Sequence, residues 1–232
     1  MVSGKRVEHA EPAKADMFAI GTILKKERKA RFLGIKRRLH IWGSGAGDKD
    51  ERFDARHHYH AVRGTLTRGC IVGGADSSSL GDPGLLASRY WDGRPRPEKK
   101  YSVGIIPHFV DATSPAVKQL LNIKGAHLID VFSPVDEVLE QVQQCHYILS
   151  SSMHGLIVSD AFNVPNRRIV FSSKVKSNMK FADYYSAFGL QEPTSLVLGE
   201  HYPHDPELLV GDYSTKQVDS VCDRLISSFP DI

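Results

Sequence analysis

Six residues, Ser150 through Gly155, put three hydroxyls, a titratable imidazole and a glycine between two apolar runs. Tyr147–Leu149 reads as a buried strand, and Leu156–Phe162 as a buried helix. A strand that stops at hydroxyls and opens a helix suits an anion. The first amides of a helix lack intrahelical partners, and the helix dipole favours negative charge there. Ser151, Ser152 and Gly155 are therefore candidate ligands for an anion. His154, in the first turn, adds a group that gives or takes a proton near neutral pH. Such a pairing points to an enzyme more than to a scaffold.

Other residues suited to chemistry lie at the ends of apolar runs. Arg63 follows Tyr59–Val62, where its guanidinium could grip a carboxylate or phosphate or close an interdomain salt bridge. Thr65 or Thr67 is placed to cap the helix expected next. Gly43, Ser44 and Gly45 form a glycine-rich turn after Leu39–Trp42. The dinucleotide pattern G-x-G-x-x-G fails there because Asp48 stands three residues after Gly45. The turn reads either as a loop that lets a substrate approach the backbone or as a tight turn. His108 follows another apolar run, Tyr101–Pro107. Lys180 sits near a helix start, an unfavourable place for a cation unless it meets an anion; Asp183 is placed to orient it. His58 and His60 share a strand face, but no nearby carboxylate or cysteine completes a ligand set, so no metal site is expected.

Composition narrows the class. The chain has 232 residues, 41% hydrophobic and 25% charged, as in ordinary globular proteins. No apolar run reaches the roughly 18 residues of a membrane span, and from the polar start no signal peptide is expected. Cys70, Cys145 and Cys222 form neither a metal motif nor a disulfide framework, which suits a cytoplasmic protein with reduced thiols. The net charge of +3 does not suggest nucleic acid. Residues 1–38, however, hold 11 Lys/Arg against 4 Asp/Glu. Their basic stretch, residues 25–38, reads as a solvated helix face and loop, or as a surface for peripheral contact with an anionic membrane.

Apolar strands alternating with helical patterns position these residues. Strands are expected at Ala15–Ile20, Leu39–Trp42, Tyr59–Val62, Tyr101–Pro107, Ala126–Val131, Tyr147–Leu149 and Arg168–Phe171. Helices are expected from about Gly64, from Ser114-Pro115, from Ser133-Pro134, from His154, over Phe181–Phe188 and over Thr215–Ser228. Residues 73–100 read as loop-rich, with a linker at 92–100. This order predicts an α/β protein with parallel sheets covered on both faces, where ligands bind at the carboxyl ends of strands. Two Rossmann-like domains facing a cleft are expected, over residues 1–95 and 96–232. The last helix is a candidate to pack back on the first domain.

Taken in order, Ile20–Leu24, Trp42–Gly45, Val62–Thr67, Gly81–Pro83, Gly104–His108, Ser151–Gly155 and Lys180–Tyr185 resemble the polysaccharide pyruvyl transferase family, from about Asp16 to Leu190. The resemblance implies a GT-B-like fold and transfer of pyruvate from phosphoenolpyruvate to a sugar as a cyclic ketal. It also implies no cofactor beyond that donor, and a glycan or lipid-linked oligosaccharide acceptor. Family members usually open with a strand and a glycine–aspartate loop that this chain lacks, so its first domain is expected to be trimmed. Many members carry arginine where this chain has Ser152. On this reading His154 is the general acid. Arg63 and the helix N-terminus at Ser152–Gly155 would divide the donor's carboxylate and phosphate between them. The substrate contacts would come from Ser151, Ser152, Gly155, Gly43, Ser44, Gly45, His108, Lys180 and Asp183. The place of work would be the cytoplasm, with peripheral contact at the inner membrane face through residues 25–38. A nucleotide-sugar glycosyltransferase of similar fold and a catalytically silent binding protein are the alternatives.

Overall fold

The computed structural model describes residues 2–32, 35–172, 179–198, 204–211 and 213–232, with the side chains of residues 31–36 outside that description. The strands, in chain order, begin with β1 (Met17–Phe18), β2 (Arg31–Phe32), β3 (Ile35–Lys36), β4 (His40–Trp42), β5 (His58–Val62) and β6 (Ser79–Leu80). They continue with β7 (Tyr101–Ile106), β8 (Ala126–Leu128), β9 (Cys145–Ser150), β10 (Asn166–Val170) and β11 (Leu196–Val197). The helices are α1 (Thr65–Gly69), α2 (Ala87–Trp91), α3 (Pro115–Leu120), α4 (Val135–Gln144), α5 (Met153–Ala161), α6 (Met179–Ser186), α7 (Pro206–Val210) and α8 (Val218–Ser227).

Two compact units result. The first comprises Met1–Pro83, Ser177–Glu192 and Gln217–Ile232, and the second comprises Gly84–Lys176 and Pro193–Lys216. Both α6 and α8 therefore belong to the first unit.

The first unit carries a parallel sheet in the order β1-β4-β5-β6. Ile41, Val62, Phe18 and Phe53 are buried in its core with Leu24 and Leu39. On α8, Val221 and Leu225 are buried, and Gly81 passes so close that a Cβ there would sit 2.5 Å from Val221 Cγ1. The Trp42 indole closes the same junction by donating to the Leu225 carbonyl at 2.9 Å. The basic stretch folds as a 3₁₀ turn over Leu24–Lys29, followed by the antiparallel pair β2–β3. Leu24 and Glu27 point inward, whereas Lys25, Lys26, Arg28 and Lys29 are exposed. The side chains of Arg31 and Lys36, also in that stretch, lie outside the described residues.

The second unit carries a parallel sheet in the order β11-β10-β9-β7-β8. Its strands alternate between two buried faces. Val103, Ile105, Leu149 and Ile169 meet α3 and α7 on one face, while Ile106, Ile148 and Cys145 meet α4 on the other. Burial on both faces accounts for the nearly continuous apolar strands of the sequence.

Local differences from expectation have physical causes. The segment 73–100 holds β6 and α2, too short to show periodicity. α4 starts at Val135 with Pro134 as its N-cap residue, so Ser133 does not cap it. Val135, at the helix end, is 66% exposed instead of lying on the apolar face. α7 was hidden in a polar segment, although Asp205-Pro206 carries its signal: the Asp205 carboxylate accepts from the Glu207 amide at 3.0 Å, and proline takes the first helical position.

Candidate functional site

In the first unit, Arg63 directly follows β5 with its side chain wholly buried. Its Nε donates to Asp183 Oδ2 at 2.9 Å, Nη1 to Thr22 Oγ1 at 2.8 Å and Nη2 to the Ala46 carbonyl at 2.6 Å. Gly45 lies against this guanidinium, and a Cβ there would fall 2.2 Å from Arg63 Cζ. Gly43 takes φ +90°, and a Cβ would meet Pro83 Cδ at 2.1 Å. The Ser44 hydroxyl donates to the Ala19 carbonyl at 2.6 Å. The glycine turn is thus a tightly packed loop held from beneath by Arg63.

Asp183, on α6, organises the same corner. Its carboxylate accepts from the Thr67 amide at 2.7 Å and from the Thr67 hydroxyl at 2.6 Å, and that hydroxyl accepts from the Ala46 amide at 2.9 Å. The N-cap of α1 is Gly64, which has no side chain to offer the helix amides. α6 supplies the missing acceptors: Asp183 for Thr67, and the Ser186 hydroxyl for the Thr65 amide at 2.9 Å. A side chain at Gly64 would block this, because its Cβ would lie 1.8 Å from the Asp183 carbonyl oxygen. Lys180, also on α6, lies half-buried with its ammonium 5.1 Å from the Phe181 ring centroid.

The second unit holds the β9–α5 turn. The Ser150 hydroxyl bonds to the carbonyls of Ile106 and Ser152, each at 2.8 Å, and accepts from the Ser152 amide at 3.0 Å. Gly155 packs on this knot, since a Cβ there would come within 2.3 Å of Ser150 Oγ. The Ser151 hydroxyl donates to Asp111 Oδ2 at 3.0 Å and accepts from the His108 amide at 2.8 Å. It therefore ties the loop after β7 to the start of α5. Ser152 is the N-cap of α5 but makes no side-chain bond to the helix amides. Its hydroxyl and the first-turn amides form the polar end of this helix, with His154 half-buried in that turn. The His108 ring packs against that of Phe109, tilted by 34° with ring centroids 4.4 Å apart.

The expected residues thus form two groups. Arg63, Gly43, Ser44, Gly45 and Asp183 meet in the first unit, where Lys180 also lies; His108, Ser151, Ser152, His154 and Gly155 meet in the second.

A family profile described as polysaccharide pyruvyl transferase matches residues 27–173, which include Arg63, the glycine turn, His108 and the whole β9–α5 turn. The chain belongs to the polysaccharide pyruvyl transferase family. It is 30% identical over 160 residues to the uncharacterized protein L143 of Acanthamoeba polyphaga mimivirus, covering 65% of this chain and 55% of that protein. It is 27% identical over 154 residues to the succinoglycan biosynthesis protein ExoV of Rhizobium meliloti (strain 1021), covering 64% of this chain and 46% of that one. The chain spans about half the length of these curated relatives.

Sequence reasoning missed several members of these groups. Asp111 is a buried carboxylate that also accepts from the Ser172 hydroxyl at 2.5 Å. Nothing in one sequence separates it from a surface acid. Thr22 was visible only as part of the motif after β1. Phe109 and Phe132 are 60% and 79% exposed. They follow β7 and β8, so they stand at the same sheet edge as His108 and the β9–α5 turn. Burial pushes the Cys145 thiol up to about 12, and Cys70 and Cys222 are also buried. These buried thiols are poor candidates for nucleophiles. Among the described residues no cluster has metal-site geometry, and no helix is long and apolar enough to cross a membrane.

Proposed function

We propose that this chain transfers pyruvate from phosphoenolpyruvate to a sugar of an exopolysaccharide or its precursor, forming a cyclic ketal. The observation that carries this reading is the β9–α5 turn of a pyruvyl transferase family member, with His154 among amides that its N-cap side chain leaves unbonded. The name of the relative ExoV, a succinoglycan biosynthesis protein, supports a polysaccharide acceptor. The two parallel-sheet units support a GT-B-like architecture.

In this mechanism the donor's phosphate lies at the N-terminus of α5, against the amides of His154 and Gly155 and the Ser152 hydroxyl. A protonated His154 gives its proton to the methylene carbon of the donor while a sugar hydroxyl attacks the adjacent carbon. The C–O bond to phosphate then breaks, phosphate leaves, and a second hydroxyl closes the ring. The two hydroxyl protons are released, one to restore His154 and one to the phosphate or solvent. The helix terminus disfavours imidazolium by about 0.3–1 kcal/mol. A bound anion about 4 Å away favours it by about 4 kcal/mol per charge at an effective dielectric near 20.

Arg63 acts as a positioning residue: its guanidinium donates to Thr22, Ala46 and Asp183, and so sets the glycine loop. In the second unit His108 contacts a substrate anion, and Phe109 and Phe132 offer aromatic faces to the acceptor sugar; Lys180 is a separate candidate anion contact in the first unit. The donor is consumed as substrate, and the reaction calls for no resident cofactor.

The test is phosphate release from phosphoenolpyruvate across a panel of glycan acceptors. Acceptor-dependent release, with a pyruvyl mass increment on the glycan, is expected. A chain that leaves phosphoenolpyruvate intact with every acceptor yet is stabilised by nucleotide sugars would overturn the proposal in favour of glycosyl transfer.

A further inference from the structure

We propose that the first unit carries a separate binding site for a phosphate-bearing ligand, in a pocket lined by Arg28, Arg52 and Arg56. The pocket has a volume of about 590 Å³. Phe53, almost wholly buried, forms part of its lining, and Glu27 and Asp54 complete the polar set. Arg52–Arg56 immediately precede β5, Val72 follows α1, and Glu27 bonds to His57, just before β5 begins. The site therefore lies at the amino end of β5, whereas Arg63 and the glycine loop lie at the carboxyl end of the sheet.

Two of the three arginines, Arg52 and Arg56, are held by protein contacts. Arg52 is exposed, yet its Nη1 donates to the carbonyls of Lys49 and Glu51, both at 2.8 Å. Arg56 donates from Nε to the Arg37 carbonyl at 3.2 Å and from Nη1 to Asp54 at 2.5 Å, with Nη2 3.7 Å from Glu27. The two carboxylates are thereby engaged. Asp54 is bound by Arg56, and buried Glu27 accepts from His57 Nε2. The His57 tautomer follows from its other nitrogen, since Nδ1 accepts from the Leu39 amide at 3.0 Å and the proton must sit on Nε2.

Of the three lining arginines, Arg28 and Arg52 are exposed and Arg56 is half-buried. Planar forks of this kind match the oxygens of a phosphate. Three guanidiniums against two carboxylates leave the lining net positive, and exposed Lys25, Lys26 and Lys29 on the adjoining turn add to that field. Side chains already fixed by protein contacts lose less entropy when they bind. The ligand is a phosphate or diphosphate group, carried either by a soluble phosphorylated molecule or by a lipid. The proposal does not depend on the pyruvyl-transfer reading.

The test titrates inorganic pyrophosphate into the full chain by calorimetry, with wild type, Arg28→Gln and Arg52→Gln, in the absence and presence of saturating phosphoenolpyruvate. The wild type should bind, each substitution should weaken binding at least tenfold, and phosphoenolpyruvate should not displace the ligand. Both residues are exposed, so the variants should melt with the wild type. No binding by the wild type, unchanged affinity in both variants, or displacement by phosphoenolpyruvate overturns the proposal. Sedimentation with phosphatidylcholine vesicles containing phosphatidic acid separates the sources. Vesicle binding lost in the variants assigns a lipid phosphate. Pyrophosphate binding without vesicle binding assigns a soluble one.

Discussion

Asp183 is the residue whose removal tests the first unit most directly. In Asp183→Ala the Arg63 guanidinium, which has no exposed surface, loses its counter-ion. Breaking a buried ion pair from one side costs about 3–5 kcal/mol, because the remaining charge is stranded. The Thr67 amide also loses its acceptor, and a lost helix cap costs about 1 kcal/mol. The two effects share one carboxylate and overlap, so a total near 4 kcal/mol is a fair expectation. That is a large share of the roughly 5–15 kcal/mol by which domains are stable. At about 2–4 °C per kcal/mol for a chain of this size, the melting temperature should fall by about 8–16 °C. Thermal unfolding followed by circular dichroism measures it. The paired substitution Arg63→Met with Asp183→Leu removes both charges and should recover much of the loss. A shift under about 2 °C in Asp183→Ala, or a double variant no better than the single one, would refute the buried pair as the hub of this corner.

Three further outcomes follow from the geometry. His154→Ala should lower turnover by about 10²–10⁴-fold with an unchanged melting temperature; near-normal turnover would remove His154 from the chemistry. Phe132→Ala should raise the acceptor KM while leaving donor binding, read by thermal shift with phosphoenolpyruvate, as in the wild type; an unchanged acceptor KM would discount its ring as a sugar contact. The third concerns His40 and His60, whose ring nitrogens Nδ1 and Nε2 lie 2.9 Å apart, with the His58 ring beside them and Asp16 acting on His40. Burial, then neighbouring histidines, lowers both from the ordinary value of 6.5. Near and below that value the unfolded chain binds protons that the folded chain refuses, so stability falls as pH drops below about 6.5 and is full above it. His60→Gln should flatten the melting-temperature profile between pH 7 and pH 5.5, and an unaltered slope would show that the cluster does not set it.

The sequence made the alternation of strands and helices legible because strands buried on both faces must be apolar throughout. β7 and β9 emerge within two residues of their expected ends. Two things were hidden. One was short structure such as α2 and β6, where few residues carry any periodicity. The other was partnership across long separations. Arg63 was visible as an arginine at a strand end, but its partner Asp183 lies 120 residues away on an element that returns to the first unit. In the sequence Asp183 stands out only as a partner for Lys180; the amide it caps is on α1. Asp111 carried no local mark at all, because its burial depends on Ser151 and Ser172, 40 and 61 residues further on.

These partnerships also change what the motif residues mean. Gly45 is required by the guanidinium beneath it, Gly64 by the backbone of α6, and Gly155 by the Ser150 hydroxyl. Ser44 and Ser151 spend their hydroxyls on Ala19 and Asp111. Much of what read as ligand-binding motif is therefore the packing that holds two loops in place. On the proposed reading, the groups that meet the donor in the second unit are fewer: the first-turn amides of α5, Ser152, His154 and His108. Loops fixed this tightly by their own glycines and hydroxyls are the kind of support that lets a few polar groups be held in place for a reacting centre.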